Sequence, residues 1–152
     1  MKWITNLITL LWGMFFDKKA NYRIEFKTKQ IEKEWEELGS TNVKFKVMML
    51  EVANFVQVHF AKCIMVTSIL RTPQDQIKLY GYVKPSVHMY WRGVDLRSSV
   101  YEAEEIAEIV RMINTKYSYD TSRPEKSCCL YHDEGFGAHF HFQNHPNTEE
   151  RK

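Results

Sequence analysis

Hydrophobic and polar residues alternate in some segments of the chain and recur every three or four positions in others, which predicts both strands and helices. The strand-like segments are short and rich in β-branched or aromatic residues, and they cover residues 22–26, 63–69, 93–96, 128–131 and 138–143. The helix-like segments cover residues 28–38, 43–62 and 99–117, and Thr72-Pro73 begins a shorter one. Strands joined by loops or single helices predict an α+β domain with a small antiparallel sheet flanked by helices.

The ends of these segments carry local signals for where helices begin and stop. Gly39 is expected to end the first helix as its C-terminal cap. Ser99 and Glu102 are expected to form a capping box at the start of the last helix. Residues 146–152 are expected to be a frayed tail, so the predicted domain covers residues 20–145.

An apolar stretch at residues 3–16 is closed by Asp17-Lys18-Lys19. It is shorter than the about 20 residues that span a bilayer, and no cleavage site of small residues follows it. Its apolar residues recur at helical spacing: Ile4, Leu7, Ile8, Leu11 and Phe15. Residues 1–19 are therefore predicted to form an amphipathic helix, rather than a secretion signal, that packs on the domain or binds a membrane or protein partner.

Composition narrows the function without defining it. The 152 residues suffice for one domain and are too few for two separate cores. Basic residues number 21 and acidic residues 19, and no basic run is long enough to predict a nucleic-acid partner. The cysteines, Cys63, Cys128 and Cys129, are odd in number and lack zinc-ribbon spacing. They are expected to be buried thiols rather than a disulfide framework.

The predicted strand at residues 138–143 has histidines on one face and phenylalanines on the other. Alternate residues of a strand share a face, so His139 and His141 project together, about 7 Å apart. Phe140 and Phe142 point the opposite way, into a core. This pattern fits a metal site, and exposed histidines that alternate by chance fit it equally well.

A second pair of metal-type ligands lies upstream, at His88 and Asp95. A neutral imidazole and a carboxylate are common zinc ligands, and three protein ligands plus water form the usual catalytic set. A turn at Arg92-Gly93 would let both side chains reach one ion. The alternative is a surface histidine and an aspartate that caps the turn toward the next helix.

Together these segments resemble a known family pattern. The segment Ser86-x-His88-x-x-Trp91-x-Gly93-x-Asp95 resembles the Ser-x-His-x-x-Gly-x-Ala-x-Asp signature of D-Ala-D-Ala carboxypeptidases and L-Ala-D-Glu endopeptidases. These families belong to the wider group of lysostaphin-type, D-Ala-D-Ala and hedgehog-like zinc domains. Trp91 and Gly93 stand where the families have Gly and Ala, so the loop beside the metal is bulkier on one side.

Two further segments extend the resemblance. The segment His139-Phe140-His141-Phe142-Gln143 is similar to the strand that carries the group's third ligand, in the His-x-His form of some murein endopeptidases. The segment from Thr67 to Gln76, which contains Arg71, is similar to the strand and loop that carry a substrate-facing arginine. The three segments occur in the family's order.

The resemblance implies a hedgehog/D-Ala-D-Ala peptidase-like fold and a role for each site residue. His88, Asp95 and His141 would hold Zn²⁺, and His139 would be the base or would stabilise the transition state. Arg71 would bind a carbonyl or carboxylate of the substrate. This set is chemically sufficient, because zinc activates water, an imidazole can take its proton and a guanidinium can stabilise an oxyanion.

The carboxypeptidase branch also places a catalytic glutamate three residues before its last ligand. In this chain Ala138 holds that position, and Glu134 is out of register. His139 is expected to replace the glutamate as the base. His132 and His145 are further candidates for groups that surround the site.

Two functions follow from the resemblance. The first is a zinc-dependent peptidase, an endopeptidase or a carboxypeptidase, that hydrolyses peptidoglycan peptides containing D-residues. The small size and the lack of a wall-binding repeat resemble phage lysins and virion-associated hydrolases, which are made in the cytoplasm and act on the cell wall. The second is a zinc-binding structural or adaptor protein without turnover, such as a phage tail or assembly component, with residues 3–16 as its docking element.

Overall fold

A computed structural model describes residues 22–152, and the helix expected over residues 1–19 lies outside the described residues. In chain order the described part contains β1 (Ile24–Phe26), α1 (Lys29–Thr41), α2 (Val43–Phe60), β2 (Ile64–Ser68), α3 (Pro73–Tyr80), a 3₁₀ turn (Val87–Tyr90), β3 (Gly93–Arg97), α4 (Ala103–Lys116), β4 (Tyr117–Ser118), β5 (Cys129–His132), β6 (His139–Gln143) and β7 (Glu149–Glu150). The predicted α+β class is confirmed.

The main sheet has the strand order β1-β2-β3-β6-β5. Its neighbouring pairs are antiparallel except β1 and β2, which run parallel with Ile24 opposite Ile64. The sheet is therefore mixed, and the prediction of an antiparallel sheet was wrong at this edge. The cause is the connection between the two strands, because α1 and α2 together return the chain to the same end of the sheet.

The two faces of the main sheet differ in chemistry. Side chains on one face are buried against the helices: Ile64, Val66, Val94, Leu96, Phe140 and Phe142. Helices α2 and α4 supply the matching core side chains, including Phe45, Met49, Val52, Ile109 and Ile113. Because β6 alternates as predicted, its phenylalanines anchor the strand in the core while its histidines lie on the opposite, open face.

The junction between α1 and α2 differs from the prediction. Helix α1 continues through Gly39 to Thr41, and the chain turns at Asn42. The Asn42 side chain accepts a hydrogen bond from the N–H of Phe45 and so caps α2. Gly39 does not have a positive φ. Its prediction as the C-terminal cap was therefore wrong.

The start of α4 is also corrected. The helix begins at Ala103, and the Glu105 carboxylate accepts a hydrogen bond from the N–H of Glu102 at 2.8 Å. Glu102 is thus the N-cap residue, and Glu105 holds the N3 position that the sequence pattern predicted for Glu102. The capping box of Ser99 with Glu102 was wrong by one turn.

The end of the chain is ordered by pairing rather than frayed. Strand β7 pairs antiparallel with β4, with Glu149 opposite Ser118. Thr148 is buried, and its hydroxyl donates a hydrogen bond to the Tyr119 carbonyl oxygen at 2.8 Å. The expectation of a frayed tail after His145 was wrong.

The cysteines are free thiols in this fold. Cys128 and Cys129 are buried, as predicted, and Cys63 is half-buried. Burial raises the pKa of the Cys128 thiol to about 11, which keeps it protonated at neutral pH.

Within residues 22–152, no helix is both long and apolar enough to cross a membrane.

Candidate metal centre

His88, Asp95 and His141 meet on the open face of the main sheet. Asp95 on β3 lies directly opposite His141 on β6, so the strand register brings these two side chains together. His88 comes from the 3₁₀ turn before β3, where its N–H donates to the Ser86 hydroxyl oxygen at 3.3 Å. One candidate ligand atom from each residue lies within 4.8 Å of the others, so the group could hold a metal ion.

The three candidate ligand atoms form a triangle of the right size for one small divalent ion. Asp95 Oδ1 lies 2.8 Å from His141 Nδ1 and 3.2 Å from His88 Nε2, and the two ring nitrogens are 3.4 Å apart. A tetrahedral ion with bonds of about 2.0–2.1 Å separates its ligand atoms by about 3.3 Å. The side chains predicted as ligands therefore fit such an ion.

The surroundings of His88 decide which of its ring nitrogens faces the site. Its Nδ1 lies 2.8 Å from the carbonyl oxygen of Ile69, and because a carbonyl only accepts, Nδ1 carries the proton. The lone pair of Nε2 then faces the Asp95 carboxylate, and a cation between the two would stabilise this arrangement. Burial lowers the pKa of His88, so the neutral ring with an unprotonated Nε2, the form that can bind a metal ion, is favoured.

The loop before β3 is shaped to bring the His88 ring close to the backbone. A Cβ on Gly93 would lie 2.9 Å from both His88 Cδ2 and Val87 Cγ2, too close for any other residue to fit without a shift. Trp91 has a φ of 58°, the left-handed conformation that glycine adopts most readily. The similar family signature has glycine there, and in this chain Trp91 packs against the core.

Arg71 lies in the same cleft and pairs with Asp95. Its Nη2 donates to Asp95 Oδ2, and its Nε donates to Ser68 Oγ at 3.1 Å. Burial raises the pKa of Asp95, but the hydrogen bond with His141 and the charge of Arg71 outweigh burial and hold this pKa far below its ordinary value. Asp95 is therefore ionised at neutral pH, with Oδ2 bound to Arg71 and Oδ1 directed to the histidines.

His139 lies beside the three candidate ligands but outside their triangle. Its Nδ1 is 2.9 Å from the carbonyl oxygen of Gly137 and therefore carries the ring proton. Its Nε2 lies 3.9 Å from Asp95 Oδ1. In the neutral ring, Nε2 has a lone pair on the side of the metal centre, which is the form that a general base requires.

Of the two histidines expected to surround the site, only His132 does so. It lies opposite His139 across β5 and β6, with ring centroids 5.0 Å apart, and 5.6 Å from the His141 centroid. Burial and the two neighbouring imidazoles lower the pKa of His132. His145 instead lies 3.5 Å from the Asp120 carboxylate, away from the cleft.

The metal centre lies in a cleft of about 900 Å³, which is within the size range of ligand sites. Tyr80 and Phe136 form an aromatic wall, with ring centroids 5.9 Å apart. Phe136 is presented by a tight turn in which Asp133 Oδ1 accepts hydrogen bonds from the N–H groups of Gly135 and Gly137. No sequence pattern indicates this wall, because Tyr80 and Phe136 are distant in sequence.

Two other polar groups belong to the cleft wall. The Glu134 carboxylate lies 3.8 Å from Lys84 Nζ and forms no ion pair with a histidine of the site. Gln76 is fully buried, and neither polar atom of its amide has a hydrogen-bond partner among residues 22–152. Buried amides are normally paired, so this group is left for water or a ligand to satisfy.

No protein family model matches the chain, and neither a curated protein nor a solved structure matches it.

Proposed function

We propose that the protein is a zinc-dependent peptidase that hydrolyses peptidoglycan peptides. The observation that carries the proposal is the triangle of His88 Nε2, His141 Nδ1 and Asp95 Oδ1, with sides of 2.8, 3.2 and 3.4 Å, on the floor of an open cleft. Two imidazoles and one carboxylate are a donor set typical of catalytic zinc, which keeps its fourth position open. When bound, zinc supplies a Lewis acid and makes water a nucleophile at neutral pH.

The residues around this triangle have the properties that peptide hydrolysis requires. In the neutral tautomer set by its Nδ1 hydrogen bond, His139 has its Nε2 lone pair beside the centre, where it accepts a proton from the attacking water. Its Nδ1 bond to Gly137 fixes the tautomer and orients the ring. The same imidazole can then return that proton to the leaving amine.

Arg71 has two roles in the proposal. Its bond to Asp95 Oδ2 orients the carboxylate so that Oδ1 faces the metal centre. Its Nη1 group has no hydrogen-bond partner among residues 22–152, and it binds the carbonyl oxygen of the substrate as negative charge develops there. The guanidinium is held by Ser68 and Asp95, so little reorganisation is needed.

The proposed substrate class comes from the sequence resemblance to enzymes that act on peptides with D-residues. The cleft volume and its aromatic wall suit a short extended peptide rather than a single amino acid. In this proposal the protein is made in the cytoplasm and acts on the cell wall, as phage lysins and virion-associated hydrolases do.

A specific observation favours a second candidate, a zinc-binding structural or adaptor protein without turnover. Ala138 stands where the carboxypeptidase branch has its catalytic glutamate, and Glu134 pairs with Lys84 instead. Under this alternative the cleft retains its metal but has no efficient base.

Incubation with purified cell walls tests the proposal. The zinc-loaded protein is expected to release soluble peptides, detected as new amino groups and by mass spectrometry, and a chelator is expected to stop the release until zinc is restored. The His139→Ala variant, which lacks the proposed general base, is the matched control. A wild-type protein that binds one zinc ion but releases no peptide from any wall type would favour the adaptor function.

A further inference from the structure

The cleft is much more basic than the chain as a whole. The formal net charge of the chain is +2, yet the cleft wall carries five cationic side chains against two carboxylates: Lys27, Arg71, Lys84, Arg97 and Lys126 against Asp95 and Glu134. Asp95 is paired with Arg71, and Glu134 with Lys84. A divalent metal ion would add further positive charge.

Three of these cations form no ion pair within residues 22–152. They are Lys27, Arg97 and Lys126, and all three are exposed on the cleft side of the fold. A concave site lined by one sign of charge concentrates ligands of the opposite sign. The uncompensated charge therefore indicates an anionic ligand.

Arg97 and Lys126 lie on opposite sides of the metal centre. Arg97 pairs with His139 in the β3–β6 register. This pair lies two residues along the strands from the pair of Asp95 and His141, a distance of about 7 Å. Gln143 lies at the other end of β6, and its amide donates to the carbonyl oxygen of Ser127, the residue after Lys126, at 2.8 Å. The cleft therefore has a cation beyond each end of the reacting centre.

We infer that the cleft binds an anionic peptide with a carboxylate on each side of the bond to be cleaved, one held by Arg97 and the other by Lys126. This inference rests on the proposed peptidase function and specifies its substrate class. A nucleic acid is the less favoured ligand, because these cations line a concave pocket and do not form a continuous basic stripe along a surface.

Calorimetry with synthetic peptides tests the inference. The probes are a hexapeptide with one free carboxylate on each side of its central bond, the two singly amidated forms and the doubly amidated form. The full chain is loaded with zinc and carries His139→Ala, so that binding is measured without turnover. Each amidation is expected to raise Kd about 5-fold, the effect of losing one partly exposed ion pair.

Two substitutions assign the carboxylates to their partners. Arg97→Gln is expected to remove the effect of amidation on one side only, and Lys126→Gln the effect on the other side only. Lys33→Gln is the control, since Lys33 is exposed on α1 and does not line the cleft. This variant is expected to bind all four peptides with unchanged Kd.

Equal Kd values for the four peptides would overturn the inference. If Arg97→Gln and Lys126→Gln both removed the effect of the same amidation, the assignment of one carboxylate to each residue would be overturned. Tighter binding of a mixed-sequence RNA than of the acidic peptide would overturn the inference in favour of a nucleic-acid ligand. A parallel wall-digestion assay with the wild-type protein separates the two hypotheses. Selective binding of the acidic peptide without hydrolysis would support the recognition of two carboxylates by Arg97 and Lys126 and would reject the peptidase function.

Discussion

The guanidinium of Arg71 binds one oxygen of the Asp95 carboxylate, while the other oxygen of that carboxylate faces the ring nitrogens of His88 and His141. A residue expected only to contact substrate is therefore also in direct contact with a candidate metal ligand. Because carboxylate ligands depend on such partners for their orientation, Arg71 couples the substrate side of the cleft to the metal centre.

Substitution of Arg71 is predicted to weaken metal binding. Arg71→Met removes the partner of Asp95 Oδ2, and Arg71→Lys offers an ammonium that cannot contact both Ser68 and Asp95 as the planar guanidinium does. Zinc affinity is expected to fall about 10–100-fold in Arg71→Met, and less in Arg71→Lys. Competition with a chromogenic chelator measures this affinity, with Arg111→Lys, an exposed arginine on α4, as the control. Unchanged affinity in Arg71→Met would restrict Arg71 to substrate binding.

Gly93→Ala is predicted to disturb the metal centre through the position of His88. The new Cβ would meet the His88 ring at 2.9 Å, so the ring must move away from its hydrogen bond with Ile69. The free energy of unfolding is expected to fall by about 1–3 kcal/mol, as in other overpacked sites, and zinc affinity is expected to fall with it.

Gly39→Ala is the matched control for that prediction. A Cβ on Gly39 meets no atom within 4 Å, and this residue lies inside α1. Alanine has the higher helix propensity, so this variant is expected to gain about 0.5–1 kcal/mol of stability without any change in zinc affinity. Urea unfolding of both variants compares the two effects, and equal stability changes would refute the steric argument at Gly93.

The parts of the fold that the sequence predicted well are those set by local pattern. The long apolar run without Gly or Pro over residues 43–62 became α2, which ends at Phe60. The alternation of His139 to Phe142 placed histidines and phenylalanines on opposite faces as expected. The shifted start of α4 was a local error, whereas the junction at Asn42 also depends on long-range contacts. The Asn42 side chain donates to the carbonyl oxygen of Trp91 and to Asn144 Oδ1, partners that no local pattern reveals.

The candidate site was predictable to a similar extent. Residue type and spacing marked His88, Asp95 and the pair His139 and His141 as candidates, and the family resemblance implied His141 as the third ligand. The register of β3 with β6 brings Asp95 and His141 together, and the turn before β3 adds His88. Sequence could not predict that Arg71 would pair with Asp95, because this contact depends on how the loop after β2 packs against β3. The sequence also did not predict the positive charge at the two ends of the cleft, because Arg97 and Lys126 come from distant segments of the chain.

His139 and His141 are predicted to behave differently when each is replaced by alanine. His141→Ala removes one side of the ligand triangle, so zinc binding is expected to be lost. His139→Ala leaves the triangle intact, so about one zinc per chain is expected to remain while peptide release falls about 10²–10⁴-fold. Elemental analysis and a peptide-release assay measure the two properties. Equal metal loss in both variants would make both histidines ligands and leave no base on β6.

Acidification is predicted to destabilise the metal-free protein, because the pKa values of His88 and Asp95 are lower in the folded protein than their ordinary values. The pKa of His88 is lowered in the fold by burial, so the unfolded chain takes up this proton first, near the ordinary value of about 6.5. The free energy of unfolding therefore falls as the pH drops below about 6.5. The lowered pKa of Asp95 adds stability above about 4, and this contribution is lost as the pH falls through the folded-state value.

Urea unfolding in the presence of a chelator, from pH 8 to pH 4, measures the first of these losses, and two variants assign it. His88→Asn keeps a donor for the Ile69 carbonyl oxygen but cannot titrate, so the loss of stability between about pH 6.5 and pH 5 is expected to shrink. His59→Asn changes an exposed histidine on α2 and is expected to leave the wild-type profile unchanged. A His88→Asn protein with the full wild-type loss would show that the buried imidazole is not the group that takes up the proton on unfolding.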